Sequence, residues 1–318
     1  MQSNNSLHIG NTVFPWWVGA APLAGFSHRA YREYLRKWGA GFVVSEMISV
    51  EGLFRGDRKS WEMVDIEGEI NPWLQLFGKH DTKKWYTVAR RLLQQYPNIL
   101  IDINFGCPVR KVVQTQAGSA LLAFPQAMGD IVKAVKDAGA SVTAKVRLGI
   151  SSPLWEKFIP ELEKAGVDAI TIHGRYANQF YSETADWAQI AHIRKIYSGV
   201  LIGNGDITSP EIALSRKQQS GVDGIMIGRH ALSAPFIFQQ IAQYEATSSY
   251  TLPPPEEIKK MVLEYARLYL TTKKSSSLVP IRATILAMMK GFEGARHIRE
   301  NLSHVTSYED LATILKTS

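Results

Sequence analysis

The sequence contains one cysteine, Cys107. A disulfide framework and a cysteine-built metal site are thereby excluded, and a secreted, disulfide-stapled domain is not expected. No metal site is expected elsewhere either. Apolar runs are short, none approaching the roughly 18 to 20 residues that a membrane helix needs, and the polar start at residues 1–6 lacks the basic and apolar regions of a signal peptide. A soluble cytoplasmic protein is expected. What is plentiful is length and apolar content, 318 residues at 45% hydrophobic. That suffices for one large core, and α/β barrels commonly use about 250 residues as a single domain.

Short β-rich runs alternate along the chain with polar turns and longer helical stretches. The runs fall at 16–21, 42–45, 73–77, 99–103, 142–146, 168–172, 200–203 and 223–227. Ser27 is the expected N-cap of a helix through Trp38, and further helices are expected at 82–95 and 126–138, the second from the spacing of Ala127, Ile131, Ala134, Val135 and Ala138. Eight strand-like runs in about 215 residues, most separated by helical stretches, are the signature of an α/β fold of the (β/α)8 TIM-barrel type.

A second, smaller region follows. Thr251-Leu252-Pro253-Pro254-Pro255 reads as a stiff linker, because each proline disfavours helix in the residue before it. The boundary is expected there, with a barrel domain over 1–250 and a small helical domain over 251–318. Ile258, Met261, Val262, Tyr265, Leu268 and Tyr269 recur at helical spacing, 281–289 and 302–314 add helical segments, and 273–277 reads as an exposed loop. The net charge of +7 and pI near 9.3 suit a polyanionic partner such as RNA. The tail carries ten Lys and Arg against seven Asp and Glu. These charges are interleaved, so a nucleic-acid surface and a packing cap for the barrel remain open alternatives.

The chemistry is expected around Cys107. Residues 99–103 are apolar and β-branched apart from Asp102, as suits a strand buried on both faces. Asn104 ends that strand, Gly106 and Pro108 break it, and Cys107 sits on a loop made basic by Arg110 and Lys111. Beyond the carboxyl end of a parallel strand is where α/β folds keep their active sites. A free cysteine is more often a small buried hydrophobe. The flanking breakers, the nearby cations and the lack of a second cysteine weigh against that here.

Polar residues end the other strands in turn: Gln75, Asn104, Lys145, His173, Asn204 with Asp206, and Gly228-Arg229. The glycine-flanked loops after the last two strands lie where barrels build phosphate sites from backbone N–H groups. The Arg229 guanidinium can grip phosphate oxygens in bidentate fashion. Lys145 suits a ring carbonyl or an anionic flavin nitrogen, and the Gln75 amide suits an isoalloxazine edge. These features fit flavin mononucleotide, although phosphosugar substrates would use the same loops.

In order and spacing, these residues resemble the dihydrouridine synthases. The markers are Ala21-Pro22-Leu23-Ala24-Gly25, Asn104-Phe105-Gly106-Cys107-Pro108-Val109-Arg110-Lys111-Val112, Ala117-Gly118-Ser119-Ala120-Leu121-Leu122, Lys145-Val146-Arg147-Leu148-Gly149, His173-Gly174-Arg175, Asn204-Gly205-Asp206-Ile207 and Met226-Ile227-Gly228-Arg229. They cover nearly the whole chain, and Ala-Gly-Ser-Ala-Leu-Leu leans toward the bacterial B-type subgroup. The resemblance implies an FMN enzyme that reduces the C5=C6 bond of uridine in folded RNA, most simply tRNA, with NADPH reducing the flavin. Pro22, Leu23, Ala24, Gln75, Lys145, Asn204, Gly205, Asp206, Gly228 and Arg229 would bind FMN, with His173 nearby. Hydride would pass from flavin N5 to uracil C6, and Cys107 would be the general acid that protonates C5.

A tension follows, because cations that favour thiolate work against a general acid. RNA phosphates pairing with Arg110 and Lys111 would restore the thiol form. Asn104 and Arg175 are expected to orient the target base or its phosphate, and Arg110, Lys111, Lys273, Lys274, Arg282, Lys290, Arg296 and Arg299 are candidate RNA contacts. The chain departs from the family at Phe26-Ser27-His28, where Val-Thr-Asp is usual, at Val113 and at Tyr176. Arg282-Ala283-Thr284-Ile285-Leu286-Ala287-Met288-Met289 also lacks the Lys-His and aromatic pairs common in B-type members. Ribosomal RNA is the alternative substrate. A dihydroorotate- or dihydropyrimidine-type oxidoreductase and an RNA-binding protein with structural FMN are the alternative functions. A monomer with no obligate protein partner is expected.

Overall fold

The computed structural model describes residues 5–317; of the polar start at residues 1–6, residues 1–4 lie outside the described residues. Its strands are β1 (Leu7–Ile9), β2 (Thr12–Phe14), β3 (Val18–Ala20), β4 (Phe42–Val43), β5 (Ile48–Ser49), β6 (Trp73–Phe77), β7 (Leu100–Phe105), β8 (Ser141–Gly149), β9 (Ala169–Tyr176), β10 (Val200–Asn204) and β11 (Gly224–Ile227). Nine of them form one all-parallel sheet in the order β4-β3-β11-β10-β9-β8-β7-β6-β5. Its two edge strands, β4 and β5, are consecutive in the chain. Residues 44–47 join them, and the Ser45 N–H donates to the Trp73 carbonyl at 3.0 Å. The split pair occupies one stave, and the sheet curls into an eight-stave (β/α)8 barrel.

These strands are buried on both faces, which is why the sequence shows continuous apolar runs rather than alternation. Helices at Arg29–Lys37, Thr82–Gln95, Pro125–Asp137, Trp155–Lys164, Trp187–Ile196, Pro210–Ser220 and Ile237–Thr247 pack around them. Several starts follow local rules: Asp81, Asp186 and Ser209 accept N-cap bonds, and Pro125 and Pro210 open their helices.

The β1–β2 hairpin was not anticipated. Leu7, Ile9 and Phe14 bury themselves against Phe42, Trp73, Leu100, Ala169 and Ile202, residues at or near the amino ends of the strands. Phe14 stacks on Trp73 with ring centroids 5.4 Å apart. With the amino end sealed, the carboxyl end is the mouth. Two other expectations are corrected. Ser27 does not cap the first helix; His28 does, its Nδ1 accepting from the Tyr31 N–H, while the Ser27 hydroxyl accepts from the Leu23 N–H at 2.9 Å. The helix expected at 302–314 is two helices, Ala295–Leu302 and Tyr308–Thr317, separated by a turn in which the Val305 N–H bonds the Leu302 carbonyl.

Residues 251–254 lie outside any helix or strand, and Pro255–Lys273 begins the helical tail. That helix lies on Arg29–Lys37. Tyr34 Oη donates to the Met261 carbonyl at 3.0 Å, the Tyr34 and Tyr265 rings are 5.2 Å apart, and the apolar cluster of the barrel wall continues through Val262, Tyr265 and Ile285 into the tail. No described helix is long and apolar enough to cross a membrane.

Candidate active site

Strand register gathers the polar strand ends. Gln75 pairs with Asp102, Asp102 with Thr143, Asn104 with Lys145, Arg147 with His173, and His173 with Asn204. Register partners share a sheet face, and alternate residues of a strand return to that face. One inward face at the carboxyl end therefore carries all of them. Gln75, Asn104, Lys145, Arg147, His173 and Asn204 line a cavity of about 460 Å³ with Pro22, Leu23, Ala24, Cys107, Arg175, Gly205, Asp206, Gly228 and Arg229. All of the residues expected to bind FMN, together with Cys107, Asn104 and Arg175, meet there.

The Cys107 loop is tied down from both sides. Asn104 Oδ1 accepts the Gly106 and Cys107 N–H groups at 3.1 and 2.9 Å, and the Cys107 carbonyl accepts the Ser119 N–H at 3.0 Å. Gly118, with φ of 60°, is needed for that second contact, since a Cβ there would sit 2.7 Å from the Cys107 carbonyl oxygen. The thiol is half-buried, and burial pushes it above its ordinary range. The Val109 N–H and the Arg147 and Lys145 cations pull the other way and do not prevail. The expected pull toward thiolate from Arg110 and Lys111 is thus corrected: both side chains are exposed, and the cations that bear on the thiol are on β8.

Lys145 donates to Asn204 Oδ1 at 3.0 Å, and Asn204 Nδ2 donates in turn to the Met226 carbonyl at 2.7 Å. Burial and nearby Arg147 lower the ammonium to about 8, against the pull of Asp102 and Cys107. His173 is held well below its ordinary value by burial and by Lys145, Arg147, Arg175 and Arg229. Its Nε2 lies 3.2 Å from Arg175 Nη1, a donor-only group, so Nε2 is the acceptor and the ring is neutral.

Arg175 also lines the cavity. It is 2% exposed and its guanidinium is occupied: Nε donates to the Ser182 carbonyl, Nη2 to the Glu183 carbonyl and to both Asp206 oxygens at 2.7 and 2.8 Å. It braces the wall through these bonds. Asp206, expected to meet FMN directly, also accepts the Ala185 N–H at 2.8 Å. Its own φ is 51°, and Gly205 beside it has φ of 135° with no room for a Cβ, which would stand 2.5 Å from that of Ala185. The loop after β10 is thereby fixed. It adjoins a smaller hollow of about 270 Å³ lined by Gly205, Asp206, Thr208, Gly228, Arg229 and His230.

Several lining residues were missed. Arg147 donates to the Gly106 and Tyr176 carbonyls at 3.0 and 2.9 Å and stands over the Tyr181 ring at 5.7 Å, with Arg229 over the same ring at 4.6 Å. Phe180 and Tyr181 are half exposed at the mouth. Arg147 was legible, two residues from Lys145 on one strand and so on the same face. The Phe180-Tyr181 pair sits in a loop without periodicity, where nothing in the sequence signals its direction.

Of the remaining RNA candidates, Lys273 is ion-paired with Asp65 at 2.5 Å and Arg282 Nε donates to the Val305 carbonyl. Arg296 pairs with Glu300 at 3.2 Å, Nε of Arg299 is buried, and Lys274 and Lys290 are exposed. None of these lines the cavity.

The family model of the dihydrouridine synthases matches residues 19–317. The chain belongs to the dihydrouridine synthase family. As an oxidoreductase of that family it is 33% identical to tRNA-dihydrouridine synthase B of Pseudomonas aeruginosa, over 94% of this chain and 91% of that one. It is 30% identical to a probable tRNA-dihydrouridine synthase of Aquifex aeolicus, over 92% of each. Against the B-type enzyme of Xanthomonas campestris the identity is 37% over 78% and 75% of the two chains. Among solved structures, TcOYE with pHBA superposes with a TM-score of 0.53 at 14% identity, covering 84% of this dihydrouridine synthase and 96% of that chain. A 2-naphthoyl-CoA reductase reaches 0.57 at 12% identity, over 76% and 52%. These two are likenesses of fold.

Proposed function

We propose that this chain reduces the C5=C6 bond of uridines in tRNA, using FMN in the barrel mouth and NADPH as the source of electrons. The observation that carries the reading is Lys145, a half-buried cation facing the cavity with one hydrogen-bond partner, Asn204, and no carboxylate within ion-pair reach among the described residues. An ammonium has three donors. Two therefore remain for a ligand with acceptor atoms, beside a thiol poised as an acid.

The cavity fits a flavin mononucleotide on its own terms. Its volume lies in the range of about 300 to 1,000 Å³ usual for cofactor sites. Leu23 and Ala24 offer an apolar wall, Gln75 and Lys145 offer donors for ring heteroatoms, and Gly205, Gly228 and the exposed Arg229 border the hollow that suits a phosphate. A flavin bound there supplies the hydride equivalent.

The chain's own residues do the rest. A uracil entering the mouth meets the half-exposed Phe180 and Tyr181 at the rim, with the Asn104 side chain below. Reducing C5=C6 places a hydride on C6 and demands a proton at C5, and the raised Cys107 thiol keeps that proton through neutral pH. The thiolate left behind faces the Arg147 and Lys145 cations, and water at the mouth restores its proton. Taking a base from its stack costs a few kcal/mol, which contacts at the rim and tail offset.

The test is mass-spectrometric mapping of dihydrouridine in total RNA from cells lacking this protein, with return of wild type or Cys107→Ala. Loss of the modification at defined tRNA positions, restored by wild type alone, is the expected result. Persistence of every dihydrouridine, in cells with no other synthase to account for it, would overturn the assignment.

A further inference from the structure

Beneath the cavity floor lies a hydrogen-bond chain that none of the roles above uses. Asp102, on β7, is 2% exposed. One carboxylate oxygen accepts from Thr143 Oγ1 at 2.6 Å, and Thr143 Oγ1 itself accepts from Trp73 Nε1 at 2.9 Å. The other accepts from Gln75 Nε2 at 2.6 Å. Gln75 Oε1 accepts from Asn104 Nδ2 at 2.9 Å, and Asn104 Oδ1 accepts the N–H groups of Gly106 and Cys107.

Both ends of this chain are committed. An ionised carboxylate only accepts and a backbone N–H only donates, whereas each primary amide between them has a donor end and an acceptor end. One orientation of both amides satisfies the two termini together. Turning either amide would set two acceptors or two donors face to face in a buried place, where an unmet polar group is costly. In the allowed orientation Gln75 keeps one N–H uncommitted, the second N–H of Asn104 meets only the weak thioether acceptor of Met47 at 3.6 Å, and both side chains line the cavity.

We propose that Asp102 is a positioning residue: it fixes the Gln75 and Asn104 amides so that the cavity floor presents N–H donors to acceptor atoms of its ligand, and it holds the Cys107 backbone against the end of β7. Burial raises the Asp102 carboxyl to about 6, so the group is ionised at neutral pH and its two short bonds are charge-assisted. The part that concerns the ligand rests on the FMN reading above; the part that concerns Cys107 does not.

The lone cysteine makes the test direct, because alkylation of this chain by iodoacetamide at a single thiol can only report Cys107. Asp102→Asn keeps the shape and removes the acceptor-only terminus. In protein as purified, its alkylation rate at pH 8 is expected to rise about five-fold, and FMN, titrated by fluorescence quenching, to bind about ten-fold more weakly. Asp102→Asn with Gln75→Glu moves the carboxylate one link along. Asn104 is again held by an acceptor, so alkylation is expected to return to within about two-fold of wild type while FMN binding stays weak, its Gln75 donor being lost.

An alkylation rate within about two-fold of wild type in a folded Asp102→Asn protein, or no restoration in the double variant, overturns the proposal. Should Asp102→Asn not fold by circular dichroism, Gln75→Met cuts the same chain, with the same acceleration expected and an unchanged rate decisive against it. If wild type binds no FMN, the cofactor reading fails and the alkylation series still decides the role of Asp102.

Discussion

Lys145 is the residue whose electrostatics bear most directly on ligand binding. Its ammonium is lowered to about 8 by burial and by Arg147, so the free protein loses this charge as pH rises through that value. A ligand that binds the charged form stabilises it, and binding must weaken once protonation has to accompany it. FMN affinity is accordingly expected to be nearly flat from pH 7 to 7.5 and to fall above about 8. Lys145→Met should bind FMN about ten-fold more weakly at pH 7 and lack the alkaline fall, as a lost charge-assisted bond implies. Fluorescence titrations from pH 7 to 9.5 check both, and a parallel pH dependence in the variant would remove Lys145 from the site. Cys107 obeys the opposite requirement. A thiol raised by burial stays protonated through neutral pH, so proton donation is lost only as pH climbs into the alkaline range.

At the scale of elements, the departure from the family pattern at Phe26-Ser27-His28 has a physical use. His28 caps the first barrel helix through Nδ1, which accepts the Tyr31 N–H, leaving Nε2–H to meet the Tyr265 hydroxyl at 3.2 Å across the junction with the tail. Burial, with Lys273 and Arg32 adding to it, lowers the ring to about 4 from 6.5. In the unfolded chain it takes up a proton near 6.5, so its contribution is present above that pH and is lost as pH falls toward 4. Discounted for partial exposure, the loss between pH 7 and 5 is about 1 kcal/mol. His28→Asn keeps a capping acceptor without the titration. Thermal melts at pH 7 and 5 should therefore fall further for wild type than for the variant; equal falls would remove His28 as the origin. The sequence identified a capping position here but assigned it to Ser27, since propensity ranks serine above histidine and cannot register a tertiary partner 237 residues away. The long barrel strands were legible because burial on both faces leaves continuous apolar runs. The β1–β2 hairpin was not, because three-residue strands carry too little pattern. Residues 302–314 read as one helix because hydrophobic spacing survives across the turn at Val305.

The whole molecule explains why the gathering of the cavity residues was legible and the surroundings of the surface cations were not. Cavity residues are tied to strand ends, which the sequence marks where each apolar run stops, so Gln75, Lys145, His173 and Asn204 were found together. Surface cations have no such constraint, and the fold divides them. Lys273 binds Asp65 and joins tail to barrel, Arg175 is buried, and Arg296 is paired on its own helix. Lys274, at the end of the helix Pro255–Lys273, and Lys290, just beyond Arg282–Met288, are exposed and enter no ion pair among the described residues. If the tail engages RNA, these two are the contacts that neutralise phosphates. Each phosphate contact contributes close to one counterion, so the slope of log affinity against log salt should become shallower by roughly one for each of Lys274→Gln and Lys290→Gln. Binding to bulk tRNA, followed by filter retention from 50 to 300 mM salt, measures this. Lys59→Gln, on the exposed helix Arg58–Glu62, is a control of equal charge change that should leave the slope in place. Equal slopes for all three variants would make the tail a packing cap, with RNA held at the barrel rim, and the continuity of its core with the barrel wall would then be its whole purpose.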